Sequence, residues 1–424
     1  PIACTRRGDV WVIDGAYEMP PVNAAYTLFA TGLHEPLGIR PRMENGRLVV
    51  YVAQRAELTR LIDLDGDDVA DRYETVCDDW GLSGNYHEFT FGPEFDEDGY
   101  AWLTLCLGFN GPVGHSAVPW RGWSVRIDTT TGDMTPMTGG LRSPNGVGRW
   151  TDGTMFSVDN QGDWVGTCKL MTLRPGGYNG HPESLPWWTP ELPEGETPPM
   201  EPAAVWFPYG KMGQSTADVL TDTGQGSLGP WKGQIFAGDQ TSALVSRVFL
   251  EVVDGVHQGA CFPFRKGLDC GVNRLAWGKD GSMFVGQTDR GWGSVGDRRY
   301  GIQRILRTDL EPLEIKEMRL VDGGFDLEFT ADLDEGAATN VESYDMLSYT
   351  YLHHATYGSP EVEKAPNRIT GVERIDARTV RVLVDEIRTG PMGFVHELRI
   401  DGVRARDGRP LLHDRAYYTV QRLR

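Results

Sequence analysis

The stretch "NGRLVVYVAQ", residues 45–54, decides the fold, because it joins a tight Asn-Gly turn to an apolar strand. Comparable units recur as "GDVWVID" at 8–14, "DGYAWLTL" at 98–105, "DGTMFSVD" at 152–159, "GQIFAGD" at 233–239 and "DGSMFVGQ" at 280–287. Intervals of about 36 to 54 residues match a four-stranded propeller blade, and one longer interval holds the insertion "PESLPWWTPELPEGETPPMEP". The six copies, with no amphipathic helix between them, predict a six-bladed β-propeller over residues 1–312.

The sequence pattern changes from residue 313 onward. The segments "LEIKEMRLVDGGFDLEF" and "ITGVERIDARTVRVLVDEI" alternate apolar and polar residues, as half-buried strands do. We therefore expect residues 313–424 to form an immunoglobulin- or fibronectin-like β-sandwich. The predicted fold class is all-β: a six-bladed β-propeller followed by a C-terminal sandwich.

Charge and composition limit the partners of this 424-residue chain. Its net charge of −19 opposes binding to nucleic acid or to an anionic membrane, because the phosphates would repel it. No apolar run is long enough for a transmembrane helix, so we expect no direct membrane insertion. The chain opens at "PIACTRRGDV" with neither an initiator Met nor a signal peptide, which we interpret as processing or trimming.

The six cysteines show no CxxC spacing, so neither a zinc cluster nor an attached c-type haem has support. An even number of cysteines suits disulfides in an oxidising compartment, and "CFPFRKGLDC" predicts a loop closed by Cys261–Cys270. Buried free thiols are the alternative interpretation.

The acidic segment "DLDGDDVADRYE" has the spacing of a calcium-binding loop. Positions 1, 3, 5, 7, 9 and 12 of an EF-hand loop supply oxygen ligands, and here they fall on Asp63, Asp65, Asp67, the Val69 carbonyl, Asp71 and Glu74. Position 6, normally Gly, is Asp68. The sequence predicts a Ca²⁺ site with a structural role, and a solvated acidic turn is the alternative.

Candidate catalytic and binding residues lie at strand ends, where propellers place function. His87 in "GNYHEFTFGP" suits general-base catalysis near pH 7, or else it only holds its turn by a hydrogen bond to a loop carbonyl. Glu88 is expected to face solvent or an arginine. Polar residues that could contact a cofactor follow in three further segments: Arg142 and Asn145, Asn160 and Gln161, and Arg274, Arg290 and Trp292.

The segments "NYHEFTFGPEFDEDGYAWLTL" and "RSPNGVGRWTDGTMFSVDNQG" resemble the glucose/sorbosone dehydrogenase family of six-bladed propellers. The resemblance spans roughly residues 30 to 305, and "GLHEPLGI" and "RGWGS" extend it to secreted bacterial proteins named as predicted membrane-bound dehydrogenases. It implies pyrroloquinoline quinone (PQQ) and calcium as cofactors. His87 would then remove the proton of a substrate hydroxyl, and Arg142 would contact the quinone. "PGGYNGHP" departs from the family's turn near the cofactor.

Three functions stay open at this stage. The first is a quinoprotein dehydrogenase that oxidises a sugar or related alcohol. The second is a carbohydrate lyase or hydrolase without a redox cofactor, in which His87, Tyr178 and Arg142 act together. The third is a non-catalytic binding or structural module. All three fit a secreted, periplasmic or cell-surface protein with a small-molecule or carbohydrate ligand, and a protein partner or electron acceptor is compatible with each.

Overall fold

The computed structural model describes the whole chain except residues 110–117, 189–191, 194, 225–227 and 290–292. It divides into two compact units. The first unit comprises Pro1–Ser157 and Leu173–Met200, and the second comprises Val158–Thr172 and Glu201–Arg424. No helix among the described residues is long and apolar enough to span a membrane.

The first unit consists of antiparallel sheets that follow one another along the chain. The first sheet contains Ile2–Cys4, Val10–Asp14 and Ala25–Ala30. The second contains Gly38–Glu44, Arg47–Ala53, Leu58–Ile62 and Arg72–Cys77. The third contains Thr90–Phe95, Ala101–Leu105, Trp123–Ile127 and Met134–Gly139, with Gly177–Tyr178 added in parallel. The remaining elements are the strands Pro144–Arg149 and Met155–Asp159, the second of which leads into the second unit, and a 3₁₀ helix at Pro182–Trp187.

The second unit continues the series of sheets and adds the C-terminal strands. Cys168–Leu173 pairs with Val205–Phe207. Next come Thr216–Thr221, Ile235–Asp239, Leu244–Val253 and Val256–Lys266, and then a sheet of Val272–Trp277, Met283–Thr288 and Tyr300–Ile305. One layer of the C-terminal sandwich contains Ile315–Val321, Gly324–Phe329, Thr379–Val384 and Ile369–Arg374. The other contains Arg415–Val420, Phe394–Ile400, Tyr344–Thr350 and Val362–Asn367. Short helices occupy Glu335–Ala338 and Val341–Ser343.

The Asn-Gly turn at 45–46 forms the hairpin that the sequence predicts. Asn45 and Gly46 have φ values of +50° and +79°, and Glu44 pairs directly with Arg47. Positive φ at both central residues gives the turn a twist that matches the flanking strands, and Asn and Gly tolerate that conformation best. The strand that follows buries every residue from Val49 to Ala53, so it lies in the core.

Backbone pairing joins the C-terminal sandwich to the preceding sheet within the second unit. The strand Val256–Lys266 pairs with Arg415–Val420, placing Cys261 opposite Tyr417. The two strands thereby become part of one eight-stranded sheet. Phe249 and Phe262 share a buried core with the sandwich residues. The predicted boundary between residues 312 and 313 remains a prediction, because residues on its two sides share a sheet and a core.

The predicted disulfide is wrong: Cys261 and Cys270 are both free, as are the other four cysteines. The segment that was expected to be a closed loop instead continues the strand through Lys266. The Cys261 thiol is fully buried, lies 3.7 Å from the Trp206 carbonyl oxygen, and has a pKa raised by burial. The alternative of buried free thiols describes this pair.

His396 makes the stability of the second unit depend on pH. Its imidazole is fully buried beside Phe325 and accepts a hydrogen bond of 3.2 Å from the Arg388 amide. Burial lowers its pKa from 6.5 to about 3. The unfolded chain therefore binds this proton at a higher pH than the folded chain does, so the contribution of His396 to the free energy of unfolding decreases as pH falls from 6.5 towards 3.

We predict that His396→Gln weakens this pH dependence, because Gln keeps a hydrogen-bond acceptor but does not titrate. Urea unfolding at pH 7 and at pH 4.5 gives the difference in the free energy of unfolding between the two pH values, for wild type and for variant. The exposed His34→Gln is the control and should keep the wild-type difference. Equal differences for wild type and His396→Gln would show that other groups cause the acid sensitivity.

Candidate functional site

His87 lies in a tight turn immediately before the strand Thr90–Phe95, in the first unit. Its amide donates to the Asn85 side-chain oxygen at 2.9 Å, and its carbonyl accepts from the Phe89 amide at 2.7 Å. Its side chain is half-buried. The backbone of the turn is thus fixed by local hydrogen bonds, and the imidazole lies at the border between core and surface.

Arg55 stabilises the backbone of this turn through hydrogen bonds. Its guanidinium donates to the Asn85 carbonyl at 2.9 Å and to the Tyr86 carbonyl. It also pairs with Glu35, which accepts from Arg6 at 2.7 Å. Burial alone would raise the pKa of Glu35, but the charges of the two arginines outweigh burial and lower it. Glu35 is therefore ionised at neutral pH and keeps Arg55 aligned with the carbonyls.

Glu88 is fully buried, which excludes the expectation that it faces solvent. It accepts from the Ser83 amide at 2.8 Å, from the Ser83 hydroxyl at 2.5 Å and from the Gly84 amide at 3.1 Å. The guanidinium of Arg121, also fully buried, donates to the carbonyls of Gly81, Phe89 and Arg55. Burial lowers the pKa of Arg121 to about 10, and the charge of Glu88 opposes that shift. Glu88 is therefore buried among the donors of Ser83 and Gly84, and its charge attracts that of Arg121.

We predict that Glu88→Ala lowers the free energy of unfolding by about 3 kcal/mol, because Arg121 loses its compensating buried charge. Urea unfolding measures the loss, and Glu97→Ala, at an exposed ion pair, should change it by less than about 0.5 kcal/mol. Adding Arg121→Met to Glu88→Ala should lower the free energy of unfolding by less than Arg121→Met does in the wild type, because the three carbonyls lose their donor in both cases but only the wild type also loses an attractive pair of charges. A double variant less stable than the sum of the single changes would contradict this electrostatic explanation.

His87 and Arg142 are brought together by Phe109, and we call these three residues the stacked cluster. The His87 and Phe109 rings stack with centroids 4.2 Å apart and planes 21° apart. The Arg142 guanidinium carbon lies 3.9 Å from the centroid of the same ring. Arg142 is 2% exposed and Phe109 5%. Asn145, also buried, lies on the strand Pro144–Arg149 just after Arg142.

The other predicted cofactor contacts belong to the second unit. Asn160 is buried, and its side-chain oxygen accepts from the Thr216 hydroxyl at 3.3 Å. Gln161 donates to the Gly166 carbonyl at 3.1 Å. Arg274 is half-buried and donates to the Asn273 carbonyl. Arg290 and Trp292 lie outside the described residues. These contacts are all to other protein groups, and the cofactor contacts expected of these residues remain a prediction.

The acidic loop brings three of its predicted ligands together. Carboxylate oxygens of Asp63, Asp65 and Asp71 lie within 4.8 Å of one another. Asp63 is 5% exposed and accepts from the Gly66 amide at 2.7 Å and from the Asp68 amide at 3.1 Å. Among the described residues, none of the three carboxylates forms an ion pair. Three close, uncompensated carboxylates repel one another, which a hard cation such as Ca²⁺ would relieve.

Two of the predicted carboxylate ligands, Asp67 and Glu74, are not part of this cluster. Glu74 pairs with Arg60 at 2.5 Å and Arg72 at 3.2 Å, and hydrogen bonding to Arg60 lowers its pKa. Asp67 accepts from the amide of the exposed Val69 at 2.9 Å. The strand Leu58–Ile62 leads into the loop where an EF-hand has a helix. The geometry therefore supports a loop site without the bidentate Glu that closes an EF-hand.

We predict that millimolar Ca²⁺ raises the melting temperature of the wild type and that Asp63→Asn abolishes this increase, because selective binding to the folded state stabilises it. Glu74→Gln is the matched control, because its carboxylate is held by two arginines, and it should keep the increase. Differential scanning fluorimetry with Ca²⁺ or EDTA measures both. Loss of the effect in Glu74→Gln would instead support the EF-hand arrangement, and no effect in the wild type would exclude a calcium site.

Sequence reasoning missed Phe109, Arg55, Glu35 and Arg121. Phe109 lies in the segment "CLGFN", where no spacing connects it to His87 or Arg142. Arg55 follows the second repeat strand, so an arginine directly after a buried strand was a usable signal. Arg121 carried no such signal, because it contacts carbonyls that lie 32 to 66 residues away in sequence.

The predicted all-β propeller fold is confirmed, because solved structures named as glucose dehydrogenases share it. An oxidoreductase from Thermus thermophilus, named as a glucose dehydrogenase, superimposes with a TM-score of 0.50 at 18% identity over 72% of this chain and 92% of that one. Two further structures named glucose dehydrogenase give 0.52 at 14% identity, also over 72% of this chain. At these identities the likeness establishes the fold alone.

The chain itself belongs to the family described as "Domain of unknown function (DUF7133)", whose model matches residues 22–260. No curated protein matches the sequence.

Proposed function

We propose that this protein is a quinoprotein-type dehydrogenase that oxidises a sugar or related alcohol. The stacked cluster is the observation that carries the proposal, since it combines a histidine and an arginine on one aromatic ring. The glucose dehydrogenases of similar fold add support at the level of fold. The predicted membrane-bound dehydrogenase group rests on the sequence resemblance. The proposed location outside the cytoplasm rests on the same resemblance, because Cys261 and Cys270 are free thiols and so supply no disulfide that would indicate an oxidising compartment.

The residues of the stacked cluster fit a flat, anionic quinone. His87 and Arg142 each present a planar group that already stacks on a flat ring. Arg142 is almost fully buried, so its charge would act on the carboxylates of PQQ with little screening by water. The Phe109 ring now covers this surface, so a ligand that stacks on both residues requires that Phe109 shift.

His87 would act as the general base in this reaction. Its neutral imidazole would remove the proton of the substrate hydroxyl while hydride leaves the carbon that bears this hydroxyl. The chemistry that PQQ supplies is acceptance of that hydride. Arg55, through the carbonyls of Asn85 and Tyr86, would fix the direction of the His87 ring. Arg142 would bind the cofactor, and Phe109 would exclude water from the reacting groups.

We predict that the protein reconstituted with PQQ and Ca²⁺ reduces an electron-accepting dye in the presence of aldoses. His87→Ala should lower kcat by about 100-fold or more, as loss of a general base does. His34→Ala, at an exposed histidine, is the matched control and should keep the wild-type rate. Arg142→Ala should instead weaken PQQ binding, which quenching of tryptophan fluorescence measures without turnover.

The Phe109→Leu variant tests the position of the quinone. It should bind PQQ more tightly than the wild type if the ring must shift. An apoprotein that binds no PQQ, either as wild type or as Phe109→Leu, would rule out the dehydrogenase.

The buried Phe109 ring also favours a second candidate function, a non-catalytic binding module. An apolar ring that permanently covers His87 and Arg142 would leave them a structural role. Under this alternative, His87→Ala and Phe109→Leu would change the melting temperature and no activity would appear with any aldose. For the lyase alternative, Tyr178 is 4% exposed and burial raises its pKa to about 12, which does not suit an acid–base residue at neutral pH.

A further inference from the structure

A loop of the C-terminal sandwich, residues 351–360, is attached to the segment 161–167 within the second unit. Three backbone hydrogen bonds connect them: Trp164 N to His354 O at 2.8 Å, Gly358 N to Gly162 O at 2.9 Å, and Ser359 N to Gly166 O at 2.8 Å. Gly358 has a φ of +63°, and a Cβ there would lie 2.7 Å from the Gln161 side chain. The loop is therefore fitted closely to the segment that begins at Gln161.

Trp164, His353 and Tyr357 lie on these two segments, and Tyr209 lies on a turn of the same unit. The Trp164 and His353 rings lie 5.1 Å apart, and both residues are partly exposed. Tyr357 is 61% exposed and Tyr209 45%. Partial burial and the neighbouring Tyr357 hydroxyl raise the pKa of Tyr209, which also receives a side-chain hydrogen bond from Gln214. We call Trp164, Tyr209, His353 and Tyr357 the aromatic platform.

Ion pairs hold the platform in place. Lys211, two residues after Tyr209, pairs with Glu361 at 2.6 Å and with Glu397 at 2.7 Å. Both carboxylates belong to the sandwich, so the turn that carries Tyr209 is tied to the loop that carries Tyr357. The charge of Lys211 is balanced by these partners. Aromatic side chains on a backbone fixed by such contacts lose little conformational entropy when they bind a ligand.

We propose that the aromatic platform binds a neutral carbohydrate chain. The C–H faces of sugar rings pack on flat aromatic rings, and phenol and imidazole groups such as those of Tyr209 and His353 can hydrogen-bond sugar hydroxyls. The net charge of −19 disfavours an acidic polysaccharide. This site lies outside the stacked cluster and does not depend on redox activity. The sandwich would then contribute half of a binding surface.

Affinity electrophoresis of the full chain tests this proposal, in gels that contain soluble starch, xyloglucan, galactomannan or polygalacturonate. We expect at least one neutral polysaccharide to retard the wild type. The double change Tyr209→Ala with Tyr357→Ala should weaken that retardation at least tenfold in apparent affinity. Tyr300→Ala, at an 80% exposed tyrosine of the second unit, is the matched control and should be retarded like the wild type.

The melting temperature of each variant confirms that it is folded, and no cofactor or turnover enters the measurement, so the result is independent of the dehydrogenase proposal. Retardation by polygalacturonate alone would contradict the proposal that the ligand is a neutral polysaccharide. Mobility of the wild type that no polysaccharide changes, or equal retardation of the wild type and the double variant, would overturn the platform.

Discussion

The buried guanidinium of Arg121 is the constraint on which the candidate site depends. It donates to carbonyls from three separate segments, at Gly81, Phe89 and Arg55, and Glu88 offsets the cost of burying its charge. Arg55 then uses its own guanidinium to hold the turn of His87. The buried guanidinium groups of Arg121 and Arg55 thus hold the backbone that carries His87. Such networks give catalytic groups the rigid support that they need.

The second unit depends on a different interaction, the pairing of Val256–Lys266 with Arg415–Val420. An outer strand of a repeat sheet normally has an open edge, which invites pairing with other chains. Here the C-terminal strand covers that edge, and Cys261 becomes a buried apolar residue at the junction. The same arrangement places the loop 351–360 beside Gln161. The sandwich is thereby structural partner and candidate binding surface at once.

Particular residues show how far the sequence could predict this protein. His87 and Arg142 were selected because polar side chains at strand ends and a family resemblance coincide there, and the structure does bring them together. Asp63, Asp65 and Asp71 were found through the regular offsets of a loop, whose geometry is local. Glu74 occupied an equally regular position but is paired with Arg60 and Arg72. The spacing of acidic residues cannot show that an arginine on a neighbouring strand pairs with one of the carboxylates in place of a cation.

The sequence by itself determined the all-β class, the turn at Asn45 and Gly46, and the acidic loop, because each follows from backbone preferences and side-chain alternation over fewer than about 15 residues. Tertiary structure alone decided that Phe109 stacks on His87 and Arg142, that Glu88 is buried, and that Cys261 lies in a strand. These outcomes depend on contacts between segments distant in the chain. Short stretches of sequence do not specify these contacts, so packing between distant segments decides them.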